Sequence, residues 1–350
     1  MSSGFLSPSR RFIALSALLV TFNAHAQTST PIAPPTRSVA EGPFIPAPAL
    51  PGGIVLALYP PDSPLLKRER LHEAETYNST TGGVTPGGKV QSTLNIHNPS
   101  IEVHLAPGRT NTGAAIIVIP GGGHKILWIG PEGHDFVPYF ARHDVTTIIL
   151  RHRLRVDGYD AKVDAVNDAF QAVRVVRAHA AQWKLDPAKI GLVGFSAGAE
   201  LSAPAALFFD AFTAANQAAN DPLAQVSARP DYVGLIYPGP TPFAKGATPA
   251  IPANVPPSFI ASAGSGDRVH AIWAEEYFSA MLQRGVPNLE MHIYGRGGHG
   301  GGLKARDGIP FGTWPERFLE WFRDLGFLGK SGLPTKAAAE SAAFAAKPTS

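Results

Sequence analysis

The chain of 350 residues contains no cysteine. This absence excludes disulfide cross-links, cysteine nucleophiles and cysteine-ligated metal sites, so a hydrophobic core must stabilise the fold. Charge is also scarce, since charged residues make up 16% of the chain and 30 basic against 27 acidic side chains give a formal net charge of +3. No basic cluster is interleaved with aromatic residues, and we therefore expect no nucleic-acid partner.

The sequence lacks a hydrophobic run near its N-terminus that is long enough to cross a membrane. Such a span needs about 20 apolar residues, whereas the run extends only from Phe12 to Phe22. It follows Arg10 and Arg11 and precedes Ala24-His25-Ala26, which is the order of a charged region, an apolar region and a small-x-small cleavage site. We therefore expect residues 1–26 to be a signal peptide and the protein to be exported, to the periplasm or the extracellular space.

Composition divides the rest of the chain into three parts. Residues 27–51 are rich in Pro and Ala, and we expect an extended linker because proline fixes φ and removes amide donors. Residues 331–350 contain mainly Ala, Ser, Lys and Pro, which predicts either a disordered tail or a frayed helix. Residues 52–330 are numerous enough for one large domain with a full core.

Apolar segments alternate with amphipathic helical segments within residues 52–330. The predicted strands are Ile54–Tyr59, Ala114–Ile119, Thr146–Leu150, Ile190–Phe195, Tyr232–Tyr237, Ser258–Ala263 and Leu289–Tyr294. The predicted helices are Glu132–Arg142, Ala161–Trp183, Ala197–Phe209, Ala271–Arg284 and Trp314–Leu325. Several strands are apolar throughout, as is typical when helices cover both faces of a sheet. The pattern predicts an α/β fold in one domain, with a mostly parallel, doubly wound sheet and functional loops at one edge.

A candidate nucleophile lies in Gly194-Phe195-Ser196-Ala197-Gly198, directly after a predicted strand and before a helix. A sharp strand-to-helix turn exposes the serine hydroxyl, and glycine is needed two residues before and after because side chains there would clash. The bare pattern is common by chance. Its strand–turn–helix context favours a catalytic serine over a glycine-rich helix cap.

A glycine run, Pro120-Gly121-Gly122-Gly123-His124, follows an earlier strand. Backbone amides in such a run can face a small anion with no Cβ in the way. We predict that the amides of Gly122, Gly123 and Ala197 form an oxyanion hole. The phosphate-binding alternative fits poorly, because no Lys-Ser/Thr pair follows and the G-x-G-x-x-G spacing is missing. His124 either contributes to a substrate pocket or caps the turn.

A serine nucleophile needs a histidine base and a carboxylate that orients it. In folds with such a turn, the acid follows the serine in the chain and the histidine follows the acid. Asp267 lies on the turn Gly264-Ser265-Gly266 after one strand, and His299 lies in Gly297-Gly298-His299-Gly300 after the last strand. We predict Asp267 as the acid and His299 as the base. His270 begins a helix and is either a surface residue or a substrate contact.

Three further side chains are candidates near the same edge of the sheet. Trp128 and Arg153 follow strands, and we predict that they bind substrate, with core packing and a surface location as the respective alternatives. Glu200 lies one helical turn after Ser196 and is either a buried carboxylate behind the site or the partner of an arginine.

These motifs together resemble the acetylxylan-esterase-like and feruloyl-esterase-like α/β-hydrolases of bacteria, relatives of the hormone-sensitive-lipase group, over residues 58–322. The resemblance rests on Pro120–Gly123, Trp183-x-x-Asp186-Pro187-x-x-Ile190-Gly191, Gly194–Gly198, the loops of Asp267 and His299, and Asn98–Val103. Many of these relatives read Gly-His where this chain has Ala199-Glu200, and the lipases often have His at the position of Pro120.

The resemblance implies an α/β-hydrolase fold and a secreted serine esterase that deacetylates xylan or its oligosaccharides without metal or organic cofactor. The expected partner is thus a small-molecule or polysaccharide ester. Three alternatives remain at this point: a feruloyl or general short-chain carboxylesterase, a serine peptidase, and a non-catalytic carbohydrate-binding homologue.

Overall fold

The computed structural model describes residues 31–32, 42–80, 89–109, 112–216, 223–303, 308–329 and 339. The predicted signal peptide lies outside these residues, as does the predicted C-terminal tail apart from residue 339. Among the helices of the described part, none has the length and apolar character that a membrane crossing requires.

The secondary structure follows the alternation expected from the sequence. The strands are β1 (Pro31–Ile32), β2 (Ile54–Ala57), β3 (Thr76–Thr80), β4 (Lys89–Leu94), β5 (Ser100–His104), β6 (Ala115–Ile119), β7 (Thr146–Arg151), β8 (Ile190–Phe195), β9 (Val233–Ile236), β10 (Ser258–Ser265) and β11 (Glu290–Arg296). The α-helices are α1 (Phe136–Ala141), α2 (Val166–Ala178), α3 (Ala199–Ala205), α4 (Phe209–Asn216), α5 (Arg268–Gln283) and α6 (Trp314–Asp324). Each of the seven predicted strands and five predicted helical segments overlaps an observed element.

An eight-stranded sheet has the order β11-β10-β9-β8-β6-β7-β5-β2. The strands from β11 to β7 run parallel, and β5 is antiparallel to both of its neighbours. The predicted mostly parallel sheet is therefore confirmed. Because parallel strands end at the same edge, the loops after β6, β8, β9, β10 and β11 meet there.

Helices cover both faces of this sheet. Apolar side chains of α1 and α6, such as Phe136, Trp314 and Phe318, pack in one buried cluster with Ile116 and Val193. The other face packs against α2, α3 and α5 in a second, larger cluster. Burial on both faces explains why the central strands are apolar throughout instead of alternating.

The sequence prediction missed β3, β4 and β5. Strands β3 and β4 are rich in polar residues, and they form a separate antiparallel sheet with β1. In β5, the fully buried Glu102 interrupts the apolar pattern, and it forms an ion pair with Arg151 of β7. The burial of Glu102 raises the pKa of its carboxyl, but hydrogen bonds from His104 and His134 and the charge of Arg151 lower that pKa to a net value below normal.

The predicted linker ends too late, because part of it packs on the domain. The backbone amides of Ala49 and Leu50 donate to Oε1 of Glu102, at 2.9 and 3.3 Å, and the amide of Phe44 donates to the carbonyl of Leu71 at 2.7 Å. A buried carboxylate thus supplies acceptors that a proline-rich composition does not reveal. Residues 44, 49 and 50 therefore contact the domain although they lie in the predicted linker.

A second buried ion pair connects the loop after β7 to α2. Asp168, which is fully buried, accepts hydrogen bonds from Nη2 of Arg153 at 2.7 Å and from the backbone amide of Arg153 at 2.9 Å. The same guanidinium donates to the carbonyl of Leu65 at 2.6 Å. Arg153 therefore fixes the N-terminal segment and α2 to the sheet.

We expect Asp168→Ala to lower the free energy of unfolding by about 3–5 kcal/mol, because it removes the fully buried counter-ion of Arg153 and leaves only the partly exposed Asp164, at 3.3 Å. Urea unfolding followed by circular dichroism measures this loss. Glu320→Ala is the matched control, since Glu320 pairs with Arg317 at the surface and such pairs contribute about 0–1 kcal/mol. Equal effects of the two substitutions would contradict the role given to Arg153 and Asp168.

Candidate active site

Ser196 lies on the sharp turn between β8 and α3 with φ of 52°, in the left-handed region that non-glycine residues rarely adopt. A Cβ at Gly194 would lie 2.4 Å from the carbonyl oxygen of Gly198, and one at Gly198 would lie 2.0 Å from the carbonyl oxygen of Ile119. A side chain at either position would overlap these carbonyl oxygens, so both positions require glycine. Without side chains there, the turn packs directly against the end of β6.

The structure brings the three predicted catalytic residues together. Oγ of Ser196 lies 2.7 Å from Nε2 of His299, and Nδ1 of His299 lies 2.9 Å from Oδ2 of Asp267. With Asp267 ionised, Nδ1–H donates to the carboxylate and Nε2 is left to accept the serine proton. Asp267 is buried, whereas the His299 side chain is 35% exposed and open to substrate.

Asp267 has a second imidazole partner, which the sequence did not identify. His270, in the first turn of α5, hydrogen-bonds through Nδ1 to Oδ1 of Asp267, and its ring stacks on His299 with centroids 3.7 Å apart. Burial raises the pKa of the Asp267 carboxyl, but the hydrogen bonds from His270 and His299 lower it to a net value below normal. The carboxylate thus keeps its charge beside the base.

The predicted oxyanion loop lies directly against the nucleophile. A Cβ at Gly121 would lie 2.9 Å from Cβ of Ser196. Within the described part of the chain, no protein group accepts a hydrogen bond from the amide of Gly122 or Gly123. These two glycines adopt φ of 124° and 63°. Ala197 lies in the first turn after the nucleophile, where backbone amides have no partner within a helix. These amides are available to an anion.

A buried carboxylate that the sequence analysis missed connects the oxyanion loop to the histidine loop. Glu132 accepts a hydrogen bond from the Gly121 amide at 2.8 Å through Oε2 and from the Tyr237 hydroxyl at 2.8 Å through Oε1. The Tyr237 hydroxyl accepts from the amide of Gly302 at 3.3 Å, and the Tyr237 ring packs edge-on against His299 at 5.1 Å. The usable signals were the position of Tyr237 directly after β9 and of Glu132 between two glycines.

His124 and Glu200 lie together beside the oxyanion loop. The ring of His124 is buried, and its Nε2 lies 3.4 Å from Oε2 of Glu200. The partner of Glu200 is therefore a histidine and not the arginine that we considered. The carboxylate occupies the space that a side chain at Gly239 would need, since a Cβ there would lie 2.1 Å from Oε1.

The two other predicted substrate contacts have different environments. Trp128 is 40% exposed, and its backbone amide donates to the carbonyl of Gly121 at 2.9 Å, so its ring lies at the surface next to the oxyanion loop. Arg153 is buried, and its guanidinium is engaged by Asp168, Asp164 and Leu65. The prediction that Arg153 binds substrate is therefore wrong, because none of its donors is left for a ligand.

Within the described residues, one group of side chains is compact enough to coordinate a metal ion. It consists of Asp267, His270 and His299, whose potential ligand atoms lie within 4.8 Å of one another. Both imidazoles already direct Nδ1 at the carboxylate. Hydrogen bonding thus accounts for their approach.

Comparison with known proteins finds similarity to one family model and to parts of two known proteins. Residues 101–235 match the BD-FAE family model. The chain is 26% identical to an acetylxylan esterase of Xylanibacter ruminicola in an alignment of 291 residues that covers 75% of this chain and 52% of that protein. It is 30% identical over 125 residues to endo-1,4-beta-xylanase B of Butyrivibrio fibrisolvens, covering 35% of this chain and 19% of the other. The chain therefore spans about half the length of the first relative and a fifth of the second.

Two solved structures share the fold of this chain. The acetyl ester-xyloside bifunctional hydrolase of Caldicellulosiruptor lactoaceticus superposes with a TM-score of 0.58 at 26% identity, covering 66% of this chain and 90% of that one. Esterase 2 of Thermogutta terrifontis superposes with a TM-score of 0.58 at 19% identity, covering 81% and 98%. This protein therefore has the α/β-hydrolase fold of these solved structures, with the match to the BD-FAE family model confined to residues 101–235.

Proposed function

We propose that this protein is an exported serine carboxylic ester hydrolase that deacetylates xylan or xylo-oligosaccharides. The observation that carries the catalytic part of the proposal is the 2.7 Å approach of Ser196 Oγ to His299 Nε2, with Asp267 behind the imidazole. A hydroxyl held on a base in this way is an activated nucleophile, and the unoccupied amides beside it match the charge that an ester develops under attack.

In the first half-reaction, Oγ of Ser196 attacks the ester carbonyl carbon while His299 Nε2 takes the hydroxyl proton. The carbonyl oxygen becomes an oxyanion, which the amides of Gly122, Gly123 and Ala197 bind. Each such donor typically lowers the barrier by about 3–4 kcal/mol. The bond from carbon to the alcohol oxygen then breaks, and that oxygen takes the proton from Nε2.

In the second half-reaction, water attacks the acyl-serine carbonyl and gives a proton to His299 Nε2. The bond between the acyl carbon and Oγ breaks, Oγ recovers the proton, and the carboxylic acid leaves. Asp267 stays ionised throughout and stabilises the imidazolium formed in each half. The side chains of this chain supply every proton transfer.

Glu132 connects the oxyanion loop to the residues that pack on the catalytic histidine. Its two oxygens bind the amide of Gly121, which precedes the oxyanion donors, and the hydroxyl of Tyr237, which packs on His299. Loss of this carboxylate would remove the acceptor of two buried donor groups, the Gly121 amide and the Tyr237 hydroxyl. Glu132 therefore acts as a positioning residue for the oxyanion hole and the base together.

Similarity to an acetylxylan esterase and to an acetyl ester-xyloside hydrolase supports acetylated xylan as the substrate class. The exposed ring of Trp128 next to the oxyanion loop is suited to pack on a sugar ring. The signal-peptide pattern of residues 1–26 supports export. Export also agrees with the proposed substrate, because a polymeric wall substrate does not enter the cell.

We expect acetate release from acetylated xylan, and Ser196→Ala is expected to lower it about 10⁶-fold because a triad serine has no substitute. The measurement compares acetylated xylan, 4-nitrophenyl acetate and methyl ferulate in buffer containing a chelator. Turnover of only the small ester or the ferulate would replace the xylan proposal with a general or feruloyl esterase. Undiminished activity of Ser196→Ala, or inactivation by the chelator, would refute the mechanism.

We expect Glu132→Ala to lower kcat by about 100-fold, the typical effect of displacing reacting groups by about 1 Å. Glu132→Gln retains one acceptor and should lose less. Steady-state kinetics on 4-nitrophenyl acetate give the values, and Asp157→Ala is the matched control, since buried Asp157 accepts the amide of Ile96 at 3.0 Å outside the site. Equal kcat losses in the Glu132 and Asp157 variants would contradict a positioning role.

We expect the exported protein to begin at Gln27 after cleavage behind Ala26, because Ala24-His25-Ala26 presents small residues at the cleavage positions. N-terminal sequencing of protein recovered from the periplasm or medium of an expressing bacterium tests this. Arg10→Glu together with Arg11→Glu should retain the precursor in the cytoplasm. Full-length protein recovered outside the cytoplasm would contradict cleavage at this site.

A further inference from the structure

Two imidazoles share one carboxylate in this site, whereas the proposed mechanism uses one of them. His299 reaches Oδ2 of Asp267 from the loop after β11, and His270 reaches Oδ1 from α5. The rings are nearly parallel, with an interplanar angle of 23° and centroids 3.7 Å apart. The ring of Trp273 also packs edge-on against His270, with centroids 5.1 Å apart. The catalytic imidazole thus rests on a second one that is itself fixed.

Charge determines what the second imidazole can do. During catalysis His299 becomes an imidazolium, and a second positive charge on a ring stacked at 3.7 Å would repel it. His270 therefore serves the reaction through the hydrogen bond that its Nδ1–H donates to Asp267. This hydrogen bond fixes the carboxylate and draws part of its negative charge away from His299.

Within the described residues, the titratable groups in contact with His270 are Asp267 and His299. Trp273 of α5 contributes an uncharged ring. From the end of β9, Tyr237 packs on His299, and its hydroxyl is bonded to Glu132. From the turn after β8, Ser196 contacts the far nitrogen of His299. The hydrogen bond to Asp267 is thus the direct route from His270 to the reaction.

We propose that His270 is a positioning residue for the catalytic base, acting through its hydrogen bond to Asp267, and that it fixes the lower pH limit of activity. The inference rests on the proposed esterase function. It assigns a task to a side chain that touches neither the serine nor the oxyanion amides, and it explains why the acid of the triad is placed at the start of α5 with a histidine three residues later.

The sign of the pH effect follows from the carboxylate. Without the donor from His270, the negative charge of Asp267 acts on His299 alone and favours the protonated imidazole of the resting enzyme. A protonated His299 cannot take the serine proton, so activity is lost at a higher pH than in the wild type. The acid-side midpoint of kcat/KM therefore moves upward.

Three substitutions separate the donor from the ring. His270→Ala removes both, His270→Asn keeps an N–H donor near the position of Nδ1, and His270→Phe keeps a stacked ring without a donor. We expect kcat to fall about 10- to 100-fold in the Ala and Phe variants through misplacement of the base. Their acid-side midpoint should rise by about 0.5–1 pH unit, and the Asn variant should recover most of both properties.

The experiment measures kcat and KM for 4-nitrophenyl acetate between pH 4.5 and 9, together with the thermal unfolding midpoint of each variant. His292→Asn is the matched control, because Nε2 of His292 bonds to Glu290 at 2.7 Å on β11 with similar exposure and no contact with the triad. This control should leave kcat and the pH midpoint unchanged.

Unchanged kinetics in His270→Ala, or recovery by Phe and not by Asn, would overturn the inference. The Asn variant can also restore kcat and the pH midpoint while its thermal unfolding midpoint stays low. That result would still support the inference, because a loss of stability alone does not change kcat or the pH midpoint. If the wild type hydrolyses no ester, the proposed function fails first. If the wild type is active and the His270 variants match it, only this inference fails.

Discussion

The position of the nucleophile depends on a backbone contact that leaves no room for side chains. The turn at Ser196 lies so close to the end of β6 that a Cβ at Gly198 would overlap the carbonyl of Ile119. The same approach places Gly121 against the serine. Because β6 and β8 are hydrogen-bonded neighbours in the sheet, the serine and the oxyanion loop are positioned by one packing constraint.

Two carboxyl groups, those of Glu132 and Asp267, connect the serine turn and the oxyanion loop to the rest of the site. Glu132 accepts donors from the oxyanion loop and from Tyr237, and Asp267 accepts donors from His270 and His299. In each case, one buried carboxyl group accepts hydrogen bonds from different segments of the chain. These carboxyl groups connect the loops of the site without disulfides, which the cysteine-free chain cannot form.

Buried charge also explains where the sequence analysis was incomplete. Glu102 and Arg151 are fully buried in neighbouring strands, and Arg153 is buried with Asp168. Hydrophobic periodicity treats such residues as surface, so β5 was missed and Arg153 was assigned to substrate. Ionised side chains enter a core only when their partners arrive from elsewhere in the chain, and local patterns contain no record of those partners.

The sequence by itself determined the fold class, the seven strands and five helical segments, and the candidates Ser196, Asp267 and His299. Apolar periodicity and glycine spacing are local properties that need no knowledge of distant contacts. Only the tertiary structure decided that His270 shares Asp267, that Glu132 joins two loops, that Glu200 pairs with His124 and that Arg153 is engaged in the core. Each of these depends on hydrogen bonds or packing between side chains whose surroundings come from several strands and helices, and the geometry of those contacts exists only after the sheet has formed.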